Sequence, residues 1–149
     1  MSSYSRPILI AAALAALYPV AAASASAPII VTVETAKWQS GTGAFKGTEF
    51  AAVVGNHEKP GEYYSYLLKM PDGFHVPPHY HGKTENVNVI SGTLMVGIGD
   101  TFDTAKMTAL PAGAIVSVPA DVHHYAMSKG PTVIEISGIG PDSLTLVHP

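Results

Sequence analysis

The sequence contains no cysteine among its 149 residues. This absence excludes both a disulfide framework and any thiolate metal site. A tightly bound metal ion would therefore have to be held by nitrogen and oxygen ligands, that is, by histidine and carboxylate side chains.

Charged residues are also scarce: they make up 13% of the sequence, whereas hydrophobic residues make up 47%. A chain of this composition folds around an apolar core rather than remaining disordered. The eight basic residues are outnumbered by eleven acidic ones and are scattered singly. The sequence therefore predicts no nucleic-acid partner. The expected partner is a small-molecule substrate or ligand, and a homodimer is left open.

The first 27 residues have the composition of a targeting segment. Arg6 is their only charge, residues 7–23 are almost wholly apolar, and small residues follow up to Ala27. This order predicts a secretory signal peptide over residues 1–25, with cleavage after Ala25 or after Ala27. A membrane anchor is the alternative, but the apolar run barely reaches the roughly 20 residues needed to span a bilayer. We predict a periplasmic or secreted protein without stable membrane insertion after cleavage.

The remainder of the chain, residues 28–149, shows the pattern of an all-β domain. No window sustains an apolar period near 3.6, and β-branched and aromatic runs recur between Gly, Pro and Asp residues. Many short strands predict a single sandwich or barrel rather than a parallel sheet. Residues 39–47 are interpreted as a loop. The predicted strands are 29–33, 50–54, 63–70, 87–90, 93–97, 106–110, 114–118, 124–127, 132–137 and 144–147.

Two histidines lie two positions apart in the stretch between Gly73 and Gly92. On a strand, His79 and His81 would present their imidazoles to one side of the sheet while Tyr80 faces the other. A pair of imidazoles on the same face is half of a metal site.

Glu85 follows these histidines after a turn at residues 82–84. If the chain re-enters the sheet there, Glu85 shares a face with Val87 and Val89. An ionised carboxylate among apolar residues is costly unless it is paired. A divalent cation is the partner that the neighbouring histidines indicate.

A second histidine pair follows Pro119, where a strand ends and the chain turns back. His123 and His124 are adjacent, and adjacent strand residues face opposite ways. Only one of them can therefore contribute a third imidazole from a neighbouring strand.

These two stretches resemble the two sequence motifs of the cupin superfamily. The first motif, Gly-x5-His-x-His-x3-Glu-x6-Gly, is matched at every fixed position. The second, Gly-x5-Pro-x-Gly-x2-His-x3-Asn, has Asp121 in place of Gly and Ser128 in place of Asn. Asp tolerates the left-handed turn conformation better than most residues. The matching residues are Gly73, His79, His81, Glu85 and Gly92 in the first motif and Gly113, Pro119 and His124 in the second.

The resemblance implies a small, single-domain jelly-roll β-barrel of the conserved type-2 cupin kind. It also implies one divalent transition metal ion, held by His79, His81, Glu85 and His124, and so selects His124 over His123. Three imidazoles and one carboxylate suit Fe, Mn, Ni, Cu or Zn, and ligand type does not choose among them.

Two classes of function follow from such a site. An octahedral ion would leave two positions open, which favours a metal-dependent oxidoreductase of the dioxygenase or oxalate-processing type acting on a small oxygen-rich molecule. Glu85 would then be a ligand and also a proton acceptor, and a metal-dependent isomerase is the nearest variant. A tetrahedral ion would have a closed shell, which favours a non-catalytic exported protein that binds or senses a metal or ligand.

Several other residues are expected to have structural rather than chemical roles. His57 and His75 are interpreted as loop or surface histidines, His148 has no predicted role, and Glu135 is expected to be an exposed carboxylate. Aromatic and large apolar residues are expected in the core or at the barrel rim. These are Tyr64, Tyr66, Phe74, Met95 and Tyr125.

Overall fold

The computed structural model describes residues 27–147, and these residues form one curled sheet of nine strands. The predicted signal peptide over residues 1–25 and His148 lie outside the described residues. Within the described part of the chain, no helix has the length and apolar character needed to cross a membrane. The strands are β1 (Gln39–Ser40), β2 (Glu49–Val54), β3 (Tyr63–Met70), β4 (His75–His81), β5 (Glu85–Ile98), β6 (Thr108–Pro111), β7 (Ile115–Val118), β8 (His124–Ile139) and β9 (Leu144–Leu146), and short 3-10 helices lie at Gly43–Phe45 and Thr104–Lys106.

Two long strands, β5 and β8, pair with each other and give the sheet its curvature. The first half of β8 lies between β4 and β5, and its second half lies between β3 and β5. β5 likewise pairs with β7 along its first half and with β6 along its second half. Because each long strand exchanges neighbours midway, the sheet closes around an interior. The all-β, cupin jelly-roll prediction is confirmed.

The sequence predicted two short strands in place of each long one, 87–90 and 93–97 for β5 and 124–127 and 132–137 for β8, and that prediction was wrong. The predicted strands 87–90 and 93–97 left Gly92 between them, but it lies within β5, where the pairing with β8 shifts register between Ser91 and Thr93. Its φ is +78°, and a Cβ there would collide with the carbonyl oxygen of Pro131. Gly92 is therefore required by a bulge that bends the strand rather than by a chain reversal.

Three further expectations about the strands were wrong. Residues 29–33 are not a strand, and Ile29 and Ile30 are 63% and 80% exposed. A β-branched composition favours a strand only where a partner edge and a half-buried face are present. The predicted loop 39–47 contains β1 and a 3-10 helix. β4 was absent from the predicted strands, although His79 and His81 were considered on a strand; Pro77 and Pro78 at its centre interrupt the usual strand pattern.

Gly97 provides a test of the packing between the two long strands. Gly97 pairs with Tyr125 of β8, and a Cβ on Gly97 would collide with the fully buried Tyr125 ring. The ring cannot retreat easily, because its hydroxyl donates a hydrogen bond to the Asp103 carbonyl at 3.1 Å. We expect Gly97→Ala to lower the free energy of unfolding by about 1–3 kcal/mol in urea denaturation. Gly82→Ala is the control: its Cβ would meet only the rotatable Ser143 hydroxyl at 3.1 Å, so an equal loss in both variants would contradict the prediction.

Candidate metal centre

β4 delivers two buried histidines to the barrel interior. Its pairing with β8 is irregular between Val76 and His79, and beyond that point the side chains alternate. His79 and His81 are buried, whereas Tyr80 points away and stacks on His123 with ring centroids 4.8 Å apart. The alternation predicted for this segment is confirmed.

β8 delivers the third histidine, and the structure distinguishes the adjacent pair. His124 is buried and lies opposite His79 in the strand register. His123 lies on the outside, where its Nδ1 is 2.6 Å from Asp100 Oδ1. The turn before β8 includes Asp121 at φ +63°, in the left-handed conformation that the glycine of the cupin motif would adopt. The choice of His124 over His123 agrees with this geometry.

The three inner histidines offer one ring nitrogen each to a common point, and these three atoms lie within 4.8 Å of one another. Nδ1 of His79 is 2.7 Å from the Pro77 carbonyl oxygen, and Nδ1 of His124 is 3.0 Å from the Val122 carbonyl oxygen. A carbonyl can only accept, so both Nδ1 atoms must carry the proton. The Nε2 atoms therefore keep their lone pairs, as ligands to a metal ion require.

Glu85, the first residue of β5, is buried beside this group. Its carboxylate oxygens lie 3.5 Å from Nε2 of His81 and 3.5 Å from Nε2 of His124. Glu85 thus lies to one side of the three-histidine group and faces the same ring nitrogens. The structure brings all four predicted residues together, and the four-ligand set itself remains a prediction.

The residues present fit a divalent metal ion. Burial, together with the neighbouring His124, lowers the pKa of His79 to about 4, so this imidazole is neutral at physiological pH. Within residues 27–147, neither ring nitrogen of His81 makes a hydrogen bond although both are buried; Nδ1 instead lies close to the Asp142 carboxylate. A buried polar atom without a partner is costly, and a metal ion bound by His81 would satisfy its Nε2. The three histidines could therefore hold a metal ion, and the donor set does not fix which one.

Two side chains that the sequence analysis did not select lie next to the site. Asp142 Oδ1 is 3.2 Å from Nδ1 of His81, and the Tyr66 hydroxyl donates a 3.0 Å hydrogen bond to Asp142 Oδ2. Burial and the nearby Asp142 carboxylate raise the pKa of Tyr66, which keeps its proton. Tyr66 packs against the core, as expected, and its side chain also lines the interior cavity. Asp142 lies far from the motifs along the chain, and no sequence signal identified it.

The remaining predicted positions have mixed outcomes. His57 is exposed as expected, but it also lines the cavity, with its ring centroid 5.7 Å from that of Tyr66. His75 is outside the cavity lining and stacks on Phe102. Glu135 is half-buried rather than exposed. It accepts hydrogen bonds from Ser65 and Asn88, at 2.6 and 2.5 Å, on the face of the sheet away from the cavity.

Ser128 performs a structural task at the motif position where Asn is usual. It is buried, its hydroxyl donates to the Pro71 carbonyl oxygen, and it accepts a hydrogen bond from the Phe74 backbone N–H at 2.9 Å. These bonds fix the turn that leads into β4. The departure from the motif therefore leaves the approach to His79 intact.

The metal-ligand candidates lie in the wall of an interior cavity of about 580 Å³. Most of its lining is apolar and comes from the inward faces of β2, β3, β5, β7 and β8, and the candidate ligands with Tyr66 and Asp142 make one polar region. The apolar lining includes Phe50, Leu68, Val87, Val116, Ile134 and Ile136.

The adjacent histidines at the start of β8, His123 just before it and His124 as its first residue, give a direct test of which face is functional. We expect His124→Ala to abolish metal uptake and His123→Ala to leave it nearly intact, because only His124 faces the other two imidazoles. Metal content after reconstitution and desalting, measured by inductively coupled plasma mass spectrometry, checks this result. Loss of metal in His123→Ala alone would show that the strand register is shifted by one residue.

Comparisons with known proteins agree with this geometry. The sequence profile of the family described as Cupin matches residues 58–144, more than half of the chain. No curated protein matches the chain significantly.

Solved structures with three different activities share the fold. A candidate acetylacetone dioxygenase from Methylibium petroleiphilum has a TM-score of 0.64 at 16% identity, over 86% of this chain and 86% of that chain. The polyketide cyclase RemF from Streptomyces resistomycificus has a TM-score of 0.63 at 13% identity, over 80% of this chain and 85% of that chain. The DMSP lyase DddQ from Ruegeria pomeroyi has a TM-score of 0.60 at 19% identity, over 78% of this chain and 63% of that chain. At these identities the structural likeness shows the fold alone. The profile match over residues 58–144, together with the jelly-roll barrel, shows that the chain belongs to the cupin family.

Proposed function

We propose that this cupin is a metal-dependent oxidoreductase of the dioxygenase type. Its substrate would be a small molecule with an apolar body and an oxygen-bearing end. The observation that carries the proposal is the convergence of three inward-facing imidazoles beside Glu85 in the wall of a largely apolar cavity. A site that only stabilised the fold would not need a cavity next to it.

The cavity argues for the kind of substrate. About 580 Å³ is within the range of roughly 300–1,000 Å³ usual for small-molecule sites. Apolar side chains dominate the lining, so they would contact the carbon skeleton of a ligand, whereas its oxygen atoms would face the histidines. Oxalate has no apolar part to bury, which makes the oxalate-processing variant the less supported of the two oxidoreductase types.

The residues of the chain would divide the work as follows. His79, His81, Glu85 and His124 would hold a divalent ion, which when bound would supply Lewis-acid or oxygen-activating chemistry. Glu85 would also accept a substrate proton, since it is the carboxylate that touches the ring nitrogens of two of these histidines. The apolar wall would exclude water and so strengthen the electrostatic interactions inside.

An oxygen-consumption screen tests the proposed function. Protein reconstituted separately with each candidate metal is given acetylacetone as a small 1,3-diketone, a catechol, a quercetin-like flavonol and oxalate. The structural likeness to a candidate acetylacetone dioxygenase motivates the first compound. We expect metal-dependent oxygen uptake with at least one of the three substrates that have an apolar body. Tight ligand binding without turnover in every combination would favour the non-catalytic binding or sensing protein instead.

We also propose that the protein is exported. The support is the order of features in residues 1–27, with a single charge, an apolar run and small residues at the predicted cleavage positions. Mass spectrometry of the protein recovered from the periplasm or medium should give an amino terminus at Ser26 or Pro28. A full-length chain retained in the membrane fraction would instead support the anchor.

A further inference from the structure

Asp142, which is outside the predicted ligand set, lies next to the ring nitrogen of His81 that points away from the candidate metal position. We infer that Asp142 is a positioning residue for His81, held in place by Tyr66, an inference that rests on the metal site proposed above. Asp142 Oδ1 is 3.2 Å from Nδ1 of His81, on the side of the ring opposite the Nε2 that faces Glu85. The Tyr66 hydroxyl donates to the other carboxylate oxygen of Asp142 at 3.0 Å.

His81 needs such a partner because it differs from the other two histidines. The rings of His79 and His124 are each oriented by a backbone carbonyl two residues earlier, at Pro77 and Val122. In the part of the chain that the structure describes, His81 makes no such hydrogen bond. Its Nδ1 lies 3.2 Å from the Asp142 carboxylate instead. Although the geometry of this contact is not that of a hydrogen bond, it places an acceptor where the carbonyls stand for the other two rings.

Asp142 is itself fixed from several directions. Its backbone N–H donates to the carbonyl oxygen of His57 at 2.7 Å, and Tyr66 holds one of its carboxylate oxygens. The next residue, Ser143, accepts a hydrogen bond from the backbone N–H of Gly82 at 3.2 Å, and β9 then pairs with β4. The segment between β8 and β9 is thus attached to the strand that carries His81. A rigid attachment of this kind is what a positioning residue requires.

The chemical effect of Asp142 on His81 follows from its charge and its lone pairs. A carboxylate behind Nδ1 favours the tautomer with the proton on that atom, which leaves the Nε2 lone pair directed toward Glu85. It also makes the imidazole a more basic ligand. Removal of such a partner typically costs about ten- to a hundredfold in metal affinity.

The experiment uses the mature chain treated with chelator, and it has two readouts. Zn²⁺ titration by calorimetry, with a competing chelator, measures affinity. Long-range ¹H–¹⁵N NMR spectra at pH 8 report the tautomer of each histidine ring without any metal. The variants are Asp142→Leu, which removes the acceptor, and Asp142→Asn, which keeps an oxygen but loses the charge. Asp100→Leu is the matched control, because it removes a carboxylate 2.6 Å from Nδ1 of His123, outside the barrel.

We expect Asp142→Leu to weaken Zn²⁺ binding by about ten- to a hundredfold and to abolish the single Nδ1–H tautomer of His81. Asp142→Asn should keep the tautomer and lose part of the affinity, and Asp100→Leu should match the parent. Parent affinity together with an unchanged tautomer in Asp142→Leu would overturn the inference. If that variant does not fold, parent affinity in Asp142→Asn would overturn it. If the parent itself binds no Zn²⁺ or other candidate metal, the proposed function fails, and the tautomer of His81 still decides the role of Asp142.

Discussion

The purified protein is expected to contain about one transition-metal ion per chain, and His79→Ala/His81→Ala is expected to contain almost none. The two imidazoles are half of the predicted ligand set, and both come from β4. Without them, His124 and Glu85 would be left as a pair of ligands, which binds divalent ions weakly. Metal content after dialysis, measured by inductively coupled plasma mass spectrometry, checks this expectation.

His79→Ala/His81→Ala should also be less stable than the parent protein when metal is present, because only the parent gains stability from binding it. A ligand that binds only the folded state at a thousand times its Kd adds about 4 kcal/mol of stability. For a domain of this size, such a gain corresponds to a Tm difference on the order of 10 °C. Chelator should lower the Tm of the parent by a similar amount and leave the double variant unchanged.

Two other histidines, close to the same ligand positions in sequence, provide a matched control. His75 begins β4 and His123 directly precedes β8, and both lie outside the cavity lining. His75→Ala/His123→Ala should retain about one metal ion per chain and the chelator-sensitive Tm. Full metal occupancy in His79→Ala/His81→Ala would exclude the proposed site altogether.

Replacing Glu85 with Gln should separate turnover from folding. The amide keeps the shape of the side chain and one oxygen donor but loses the negative charge that faces His81 and His124. We expect metal affinity to fall while the circular dichroism spectrum stays that of the parent. Turnover should fall by about a hundredfold or more even in protein reloaded with metal, because a carboxylate that accepts a substrate proton contributes at least that much.

Glu135→Gln is the control for this change. Glu135 is also a partly buried carboxylate with two side-chain partners, but it lies on the opposite face of the sheet from the cavity. Its replacement should leave turnover unchanged even if it affects stability. A Glu85→Gln protein that binds metal and turns over substrate like the parent would reduce the site to the three histidines.

The sequence alone determined the fold class and the common side of the paired histidines from local periodicity, and the resemblance to the cupin motifs supplied the rest of the inward set. A strand alternates its faces, so the spacing of His79 and His81 required a common side, and the motif register selected His124 over His123. Asp121 could replace the usual glycine because an aspartate tolerates a positive φ, and its φ is indeed +63°.

Only the tertiary structure decided which elements continue through a bend and which distant residues meet. A glycine in the sequence is compatible with a turn or with a bulge, so Gly92 did not show that the two predicted strands beside it are one. The pairing with β8 makes it a bulge at positive φ. Asp142 and Tyr66 are separated by 76 positions, and no local pattern links them to His81. Their contact arises because β9 returns to pair with β4, and such long-range pairing is set by the closure of the barrel rather than by the residues on either side.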